Sequence, residues 1–577
     1  MRFRNGLRAL VVVSLLVSLT ISLTAYETES RSLVHGFSIQ DNLGYAITGS
    51  RYDGDLGAHF SWIDDVNGDA IDDFIVSAPS FTYANDPGRV YLFHGKHDLL
   101  WNEMTLADAQ ASFIGEVDDD WFGRWTTGLG DIDGNGFSDF AISAIRNDEV
   151  ALHSGKVYIY FGDSNVSWAL DTPANKCNIS ITGEAAEDAL GHGVYGVGDM
   201  NNDSFDDFIV SSFSNEGGTL AGQLYLFYGR SQSKWLSTYS AADANASWIG
   251  NPGDYVSLDA AGVGDINNDG FSDFAIGAWS NADSVSYRTV YLILGNDANN
   301  WSMDQPISLS NASFVGSNDT NLAGMPYFLD WISGAGDVNG DGFDDVLIGA
   351  HDEDKEGIDS GTTYLFFGRS TGKLKHNITF SEANASFVGE AANDWSGSSV
   401  GIVGDVNNDT FSDFVIGAPT EFDLVSANGR GSAYLFLGGP SGTWAMNTSV
   451  LLANYTFSAE TVNDGFGFHV RGVGDVNNDS MDDFAIGAPY FDAGYRNVGK
   501  AYIILHYDQP STWTVTTTTS TTSTTSSSTS TSTTTTTTTT SNPTETPPPF
   551  DMTTLLMIAV PVILVIIVGI VVLVKRR

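Results

Sequence analysis

Seven copies of a nine-residue acidic loop recur along the chain, and this repeat constrains the fold more than any other feature. The first copy reads Asp65-Val-Asn-Gly-Asp-Ala-Ile-Asp-Asp73 and the second reads Asp131-Ile-Asp-Gly-Asn-Gly-Phe-Ser-Asp139. The other five copies begin at Asp199, Asp265, Asp337, Asp405 and Asp475, so that neighbouring copies start 66 to 72 residues apart. A fixed period with seven copies indicates one supersecondary unit repeated in an array.

Each loop carries an oxygen-bearing side chain at positions 1, 3, 5 and 9. Hard cations such as Ca²⁺ take six to eight oxygen ligands from carboxylates, amides and backbone carbonyls, and Mg²⁺ suits these flexible loops less because it keeps its water. The pattern therefore predicts up to seven calcium sites, each completed by the carbonyl of position 7. The predicted ligands are Asp65, Asn67, Asp69, Asp73, Asp131, Asp133, Asn135, Asp139, Asp199, Asn201, Asp203, Asp207, Asp265, Asn267, Asp269, Asp273, Asp337, Asn339, Asp341, Asp345, Asp405, Asn407, Asp409, Asp413, Asp475, Asn477, Asp479 and Asp483.

A second interpretation of these loops needs no metal. Asp and Asn side chains hydrogen-bond the backbone two residues on, so a hairpin can contain them simply as Asx turns. Such turns do not require the carboxylate at position 9, and for that reason calcium is the favoured interpretation.

The charge balance excludes some classes of partner. The net charge is −46, from 71 acidic and 25 basic side chains. Nucleic-acid binding needs basic patches that release counterions, and this surface repels phosphate instead. Acidity for solubility in salt is an alternative, but it does not explain why the Asp residues lie in register. The single cysteine, Cys177, excludes an internal disulfide and has no neighbour that would activate it as a nucleophile.

The two ends of the chain predict a single-pass type I membrane protein. Residues 1–25 have a basic start, an apolar stretch and a small-residue cleavage site, as a signal peptide has; an uncleaved anchor is the alternative. Residues 551–574 hold an apolar run long enough to cross a bilayer as a helix. The basic tail 575–577 then stays in the cytoplasm, with no signalling domain there, and the rest lies outside the cell.

Residues 508–550 predict a disordered stalk. Positions 516–541 contain only Thr and Ser and a Pro-rich stretch follows, a composition that cannot bury a core and is typical of O-glycosylated stalks. Thirteen Asn-x-Ser/Thr sequons lie between Asn165 and Asn478. Three of them, at Asn202, Asn408 and Asn478, occupy position 4 of an acidic loop, where Asn suits the left-handed backbone. The other ten are candidates for N-glycans.

Each repeat predicts four strands. In the second repeat, a strand around Phe113 precedes a variable loop, and a second strand leads into Asp131. After the nine-residue loop, a run from Phe140 is typical of a strand buried on both faces, and Val157–Gly162 is the predicted last strand. Four strands per repeat with turns between them is the profile of a β-propeller blade.

The phase of the repeats predicts how the ring closes. The seventh repeat ends near His506 without its outer strand, whereas residues 45–50 look like a spare copy of that strand ahead of the first repeat. We expect residues 45–50 to pair with 501–506 and complete blade 7, because closure removes exposed strand edges. The propeller should then span 45–507, after a leader of residues 26–44.

These motifs carry a resemblance to a known family. Phe122-Gly123, the Asp131–Asp139 loop and the Gly-Ala-Pro ends at Pro419 and Pro489 match the FG-GAP repeat. Over residues 45–507 the chain resembles the seven-bladed N-terminal propeller of integrin α subunits. The resemblance implies an all-β, seven-bladed propeller with calcium hairpins on one face and ligand binding on the other.

The chain also departs from that family. In integrin α subunits only some blades bind calcium, whereas all seven loops here have full ligand sets. Position 6, which is Gly in the tightest calcium loops, is replaced in four copies, by Ala70, Ser204, Thr410 and Ser480. No further ectodomain follows the propeller, so a stalked surface protein of the prokaryotic or archaeal type is the closer picture.

The variable loops opposite the metal hairpins are the predicted ligand face. Six aromatic residues there belong to types enriched at binding hot spots: Trp121, Tyr255, Trp279, Tyr327, Trp395 and Tyr490. Packing between blades is the alternative role for each of them.

We therefore expect a calcium-binding, membrane-anchored surface protein that recognises an extracellular protein or glycan ligand, as in cell adhesion. The sequence shows no nucleophile motif, phosphate loop or zinc spacing, so no catalytic residue is predicted and the chain is expected not to be an enzyme. The alternatives are a surface hydrolase or lyase with its site in the propeller funnel, and a structural component of the cell coat.

Overall fold

The computed structural model describes most of residues 36–505. The described ranges are 36–38, 44–50, 54–80, 86–97, 105–165, 167–213, 220–256, 259–280, 287–297, 301–316, 332–420, 431–493 and 496–505. The expected signal peptide, stalk and membrane helix lie outside them, and so does Tyr327. Within the described ranges, no helix has the length and apolarity that crossing a membrane requires.

The described residues form a seven-bladed β-propeller, as the repeats predict. Each blade is a sheet with four antiparallel strands, and blades 1 to 6 carry a fifth short strand at the outer edge. The first strand of every blade contacts the first strand of both neighbouring blades, and the circle closes between blades 7 and 1. The seven acidic loops join first to second strands and therefore share one face of the ring.

The strand bounds repeat from blade to blade. In the order of blades 1 to 7, the first strands are Phe60–Asp64, Phe122–Gly130, Val194–Gly198, Ala260–Gly264, Ile332–Gly336, Ser399–Gly404 and Val470–Gly474. The second strands are Asp73–Ala78, Asp139–Ala144, Asp207–Ser212, Asp273–Ser280, Asp345–Ala350, Asp413–Ala418 and Asp483–Ala488. The third strands are Arg89–Phe93, Lys156–Tyr160, Gln223–Phe227, Tyr287–Ile293, Thr362–Phe366, Ser432–Phe436 and Lys500–Ile504.

The outer strands complete the blades. The fourth strands are Ala111–Ile114, Ile179–Thr182, Ala246–Ile249, Ala312–Val315, Ala385–Val388, Tyr455–Ser458 and Gly44–Thr48. The fifth strands of blades 1 to 6 are Thr172–Pro173, Thr238–Ser240, Gln305–Pro306, Ile378–Thr379, Thr448–Ser449 and Gly36–Ser38. The helices are short 3-10 turns at Leu106–Asp108, Ala174–Lys176, Gln232–Lys234, Ala241–Asp243, Ile307–Leu309, Thr371–Lys373, Phe380–Glu382 and Val450–Leu452.

The core lies between the blades. Every residue of Asp139–Ala144 is buried, which confirms the expected strand that is covered on both faces. Aromatic residues fill the space between sheets: the rings of Phe140 and Tyr160 stack 5.1 Å apart, and Phe113 of the preceding blade meets both. This continuous packing holds the acidic loops in a fixed ring on one face.

The expected ring closure is confirmed. Gly44–Thr48 pairs antiparallel with Lys500–Ile504, with Ala46 opposite Tyr502, and the Ile47 side chain is fully buried. The preceding strand, Gly36–Ser38, runs parallel to Tyr455–Ser458 at the outer edge of blade 6. It falls in the range that the sequence indicates as a leader. The amino-terminal segment therefore joins two blades.

The fifth strands link neighbouring blades in the same way around the ring. Thr172–Pro173 belongs by sequence to blade 2, where it precedes the fourth strand, but it pairs in parallel with Phe113 and Ile114 of blade 1. Four strands per repeat were expected, so this link between blades is an addition that the sequence did not predict.

Candidate metal centres and the opposite loop face

Backbone hydrogen bonds fold each acidic loop around its first carboxylate. In all seven loops one oxygen of position 1 accepts the N–H of position 6 at 2.7 to 2.8 Å. The side chain of position 5 accepts the N–H of position 7, as between Asp409 and Phe411 at 3.0 Å. The position 5 bond, to the N–H two residues on, is that of an Asx turn, whereas the position 1 bond reaches five residues on and wraps the loop around its first carboxylate. The metal-free interpretation thus accounts for part of what positions 1 and 5 do.

Position 6 has a left-handed backbone in every loop. The φ angle is 88° at Gly136, and it is 65° at Ala70 and 76° at Thr410. A residue with a Cβ pays about 1–2 kcal/mol for this region relative to its right-handed counterpart. The four copies without Gly keep the same fold at that cost, so their departure from the family pattern does not change the loop.

Position 9 is a buried structural carboxylate. All seven of these Asp side chains are fully buried. In blade 2, one oxygen of Asp139 accepts the N–H of Ile132 at 3.0 Å and the other accepts the N–H of Gly162 at 2.9 Å. Gly is needed after the third strand because an added Cβ at Gly162 would lie 2.3 Å from the Ser138 carbonyl oxygen. Position 9 thus has a structural role that sequence reasoning missed.

Position 3 supplies the observation that Asx turns do not explain. In four loops an oxygen of this side chain is buried and accepts no hydrogen bond from another described residue: Asp133 Oδ2, Asn201 Oδ1, Asn267 Oδ1 and Asn407 Oδ1. Leaving a buried polar oxygen unpaired costs about 1–3 kcal/mol. A cation at the centre of the loop would remove that cost, and the residues present therefore fit a metal ion.

Blade 2 brings three carboxylates close together. Carboxylate oxygens of Asp131, Asp133 and Asp139 all lie within 4.8 Å of one another. Two oxygens on opposite sides of one Ca²⁺ ion lie roughly 5 Å apart, so one ion at the centre reaches all three. The other six loops have Asn at position 3 and Asp at position 5, so every loop holds three carboxylates among its four predicted side-chain ligands.

The electrostatics of the loops favour a cation. Burial, together with the acidic neighbours in each loop, raises the pKa of Asp207 and of Asp273 to about 8. Burial likewise raises the pKa of Asp133 to about 6 and that of Asp345 to about 7. These carboxyl groups resist ionisation because burial disfavours the charged form, and a divalent cation beside them would favour it.

The loops are also joined to each other, through position 8. The backbone N–H of Asp206 donates to the Asp131 carbonyl at 3.2 Å, and the Asp206 carboxylate accepts the Asp131 N–H at 2.9 Å. The last junction closes in the same manner, where Asp72 of blade 1 accepts the N–H of Asp475 of blade 7 at 2.8 Å. Sequence reasoning gave position 8 no role, although the recurrence of Asp or Ser there is a signal that could have revealed it.

Loop 1 has one feature that its sister loops lack. His94 follows the third strand, and its Nδ1 atom lies 3.0 Å from Asp73 Oδ2 and 3.0 Å from the Asn67 amide nitrogen. Blades 2 to 6 have Phe, Tyr or Leu at this point, and blade 7 has Leu505.

The opposite face carries five of the six aromatic candidates, since Tyr327 lies outside the described residues. All five are half-buried. The Arg146 guanidinium lies 3.7 Å from the centre of the Trp121 ring. The rings of Tyr255 and Trp279 lie 5.7 Å apart. Each of these rings is thus packed in part and exposed in part.

The remaining two candidates show the same mixed setting. The ring centres of Trp395 and His351 lie 5.7 Å apart, and those of Tyr490 and Phe468 lie 5.9 Å apart. Trp395 has a φ of 53°, but Ala189 at the equivalent point of blade 3 has 48°. The left-handed backbone therefore belongs to the repeat and is not itself a sign of function. A role in ligand contact stays a prediction for all six.

Buried polar side chains line the first strands near this face. The imidazoles of His59 and His469 lie 4.2 Å apart, and His59 Nδ1 lies 3.0 Å from the Thr126 hydroxyl. The Tyr195 hydroxyl donates to Asp259 at 3.0 Å. All five residues are buried. Their burial and packing indicate a structural role for these side chains.

Comparison with known proteins agrees with this geometry. The FG-GAP repeat family matches residues 57–93, 330–366, 396–436 and 472–504, which lie in blades 1, 5, 6 and 7. The domain is an integrin α-like FG-GAP propeller. Blades 2, 3 and 4 of this FG-GAP propeller repeat the same strand order and loop, so the structure extends the family pattern to them.

Relatives of known identity point the same way. The chain is 30% identical to mouse integrin alpha-8 over 26% of its own length and 14% of the integrin. It is 26% identical to chicken integrin alpha-V over 39% of its length and 19% of that protein. It is also 26% identical to human phosphatidylinositol-glycan-specific phospholipase D, over 41% of its length and 27% of the phospholipase. The FG-GAP propeller thus spans less than a third of each of these relatives.

Proposed function

We propose that the chain is a calcium-binding cell-surface protein whose FG-GAP propeller recognises an extracellular protein or glycan, as in adhesion. The integrin α-like propeller supports ligand recognition in general. The proposal that the acidic loops bind calcium depends on the buried oxygens at position 3 that accept no hydrogen bond from the described residues. Membrane anchoring by residues 551–574 depends on the sequence alone.

In each loop the side chains of positions 1, 3, 5 and 9 and the carbonyl of position 7 would hold one ion. The ion would offset the burial and the acidic neighbours that together raise the pKa of Asp207 and Asp273. Because position 8 joins each loop to the loop before it, an ion in one loop would stiffen two blade junctions. Calcium then acts as a structural element of the ring, remote from the ligand face.

The face opposite the acidic loops, which carries the aromatic candidates, is the proposed recognition surface. It combines half-buried aromatic rings with charged neighbours, as in the group of Trp121, Arg146 and Asp119, where Arg146 lies 3.3 Å from the Asp119 carboxylate. Aromatic side chains that offer one free face give a large contact area at small entropic cost. The proposal is tested by screening full-length protein on cells against glycan arrays and surface proteins, with and without calcium.

We expect the double change Trp121→Ala and Trp395→Ala to weaken binding of a ligand found in that screen by about tenfold or more, since a single hot-spot residue contributes about 2 kcal/mol or more. The matched control is Leu170→Ala plus Leu236→Ala, which removes exposed apolar side chains, 56% and 64% exposed, at the outer rim. Binding is measured by surface plasmon resonance and folding by circular dichroism. Equal effects of the two pairs would place the ligand elsewhere.

The chain is proposed not to be an enzyme. The similarity to the phospholipase spans 27% of that protein, and a shared propeller does not carry the chemistry of the whole. A structural role in the cell coat is the remaining alternative, and it predicts self-association without binding to a separate ligand in the same screen.

A further inference from the structure

Five exposed Asn side chains occupy the same place in five consecutive blades. Each directly precedes or begins the fourth strand, at the outer rim, and each is followed two residues later by Ser or Thr. The five are Asn178, Asn245, Asn311, Asn384 and Asn454, and we call them the rim asparagines.

Every rim asparagine is held in one orientation. Its Oδ1 atom accepts the backbone N–H of the residue that follows the third strand: Phe161 at 2.9 Å, Tyr228 at 2.9 Å, Leu294 at 3.0 Å, Phe367 at 3.0 Å and Leu437 at 3.0 Å. Because the oxygen and nitrogen of an amide lie on opposite sides of its carbon, the bond turns the carbonyl toward the blade and Nδ2 away from it. The side chains of all five residues are exposed.

Blade 1 provides a natural comparison. Gln110 stands in the same place, and its Oε1 atom accepts the His94 N–H at 2.8 Å. The sequence there is Gln110-Ala-Ser112, which keeps the structural bond but is not a sequon. The backbone bond therefore requires only an amide oxygen and does not by itself require Asn.

The three sequons of the acidic loops have a different setting. Asn202, Asn408 and Asn478 have φ angles of 57° or 58° inside the hairpin. The Nδ2 atom of Asn478 lies 2.8 Å from His97 Nε2. Their hydroxyl partners occupy position 6, which is also left-handed. These three are bound into tight turns, in contrast with the amides of the rim asparagines.

We infer that the rim asparagines are modified with N-linked oligosaccharides, which form a belt around the propeller; this rests on the proposed extracellular location. In the reaction, Nδ2 attacks the first sugar carbon of a lipid-phosphate-linked oligosaccharide. The new N–C bond forms as the C–O bond to phosphate breaks, the lipid phosphate leaves, and the amide nitrogen loses one proton. The Oδ1 atom keeps its backbone hydrogen bond throughout.

The belt has a defined position. The fourth strands begin where the third strands end, and that end lies beside the acidic loops, since Gly162 after the third strand donates to Asp139. The oligosaccharides therefore surround the rim of the metal-loop face and leave the aromatic face open. They also cover outer edges where a fifth strand of only two or three residues protects the fourth, a place where sheets tend to pair with one another.

The test uses full-length protein made in a host that performs N-glycosylation, with site occupancy read by glycopeptide mass spectrometry of protein recovered from the cell surface. The fivefold Asn→Asp variant keeps every acceptor oxygen and removes every amide nitrogen at the rim. We expect it to lose five oligosaccharides with little change in melting temperature. Gln110→Asn completes a sequon at the equivalent place in blade 1, and we expect it to gain one oligosaccharide.

The outcomes separate the belt from the proposed function. Surface protein in which the rim asparagines are bare, or in which only the loop sequons are modified, overturns the belt and leaves ligand recognition intact. An unmodified Gln110→Asn protein overturns the claim that this place in the blade is a site of modification. Protein that never reaches the surface overturns the belt together with the proposed location.

Discussion

Chelation of calcium with EGTA is expected to lower the melting temperature of the full-length protein by about 10 °C or more. A ligand that binds only the native state stabilises it by RT ln(1 + [L]/Kd), which is about 2.7 kcal/mol for each site filled at 100 times its Kd. Seven loops that interlock through position 8 should respond together. Melting is followed by circular dichroism, and added calcium should restore it whereas added magnesium should not.

A single-site variant shows whether the effect comes from the loops. The Oδ1 atom of Asn407 is buried and accepts no hydrogen bond among the described residues, so Asn407→Ala removes a metal ligand without removing an acceptor that the fold uses. In calcium we expect this variant to lose about 2–3 kcal/mol, one site's share. In EGTA the melting temperature of the variant should equal that of the parent or be slightly higher, because the substitution removes a buried oxygen that accepts no hydrogen bond. A melting curve that EGTA does not shift would sink the calcium account.

Removal of the amino-terminal strands is expected to have the second large effect. A chain beginning at residue 52 lacks Gly44–Thr48 and leaves the edge of Lys500–Ile504 unpaired. It also loses the buried Ile47 side chain. Each backbone hydrogen bond contributes about 1 kcal/mol and the buried side chain about 2 kcal/mol, so the free energy of unfolding should fall by roughly 5 kcal/mol. Differential scanning calorimetry should show a lower and broader transition.

Two longer chains serve as controls for the truncation. One that begins at residue 40 keeps the blade 7 strand but lacks Gly36–Ser38, so it should lose only a small part of the stability. One that begins at residue 34 keeps both strands and should melt like the parent. If the chains from residues 34 and 52 melt alike, the ring does not depend on this closure.

The parts of the fold that could be predicted are those that the sequence repeats in long copies. Seven loops and seven buried strands such as Asp139–Ala144 set the number of blades. Counting outer strands then placed residues 45–50 in blade 7. The fifth strands escaped prediction because two residues, as in Thr172–Pro173, contain no periodicity. Gly36–Ser38 has only three residues, and its partner lies more than 400 residues away along the chain.

For the acidic loops, the carboxylate at position 9 is weaker evidence for calcium than the sequence indicates. On sequence alone, the assignment of calcium depends on position 9, because Asx turns do not need a carboxylate there. The structure gives Asp139 two backbone partners, so that carboxylate has a role with or without a metal. Stronger evidence comes from atoms such as Asn267 Oδ1, whose burial without a partner depends on three-dimensional packing. The half-buried state of Trp121 and Tyr255 is a result of packing too.

The most direct test of the central claim is a count of bound calcium. Full-length protein is equilibrated by dialysis against buffered calcium and analysed by inductively coupled plasma mass spectrometry, with Asn407→Ala alongside. The account predicts close to seven calcium ions per chain and one fewer in the variant. A calcium content near zero, or a parent and variant that hold the same number, would contradict it.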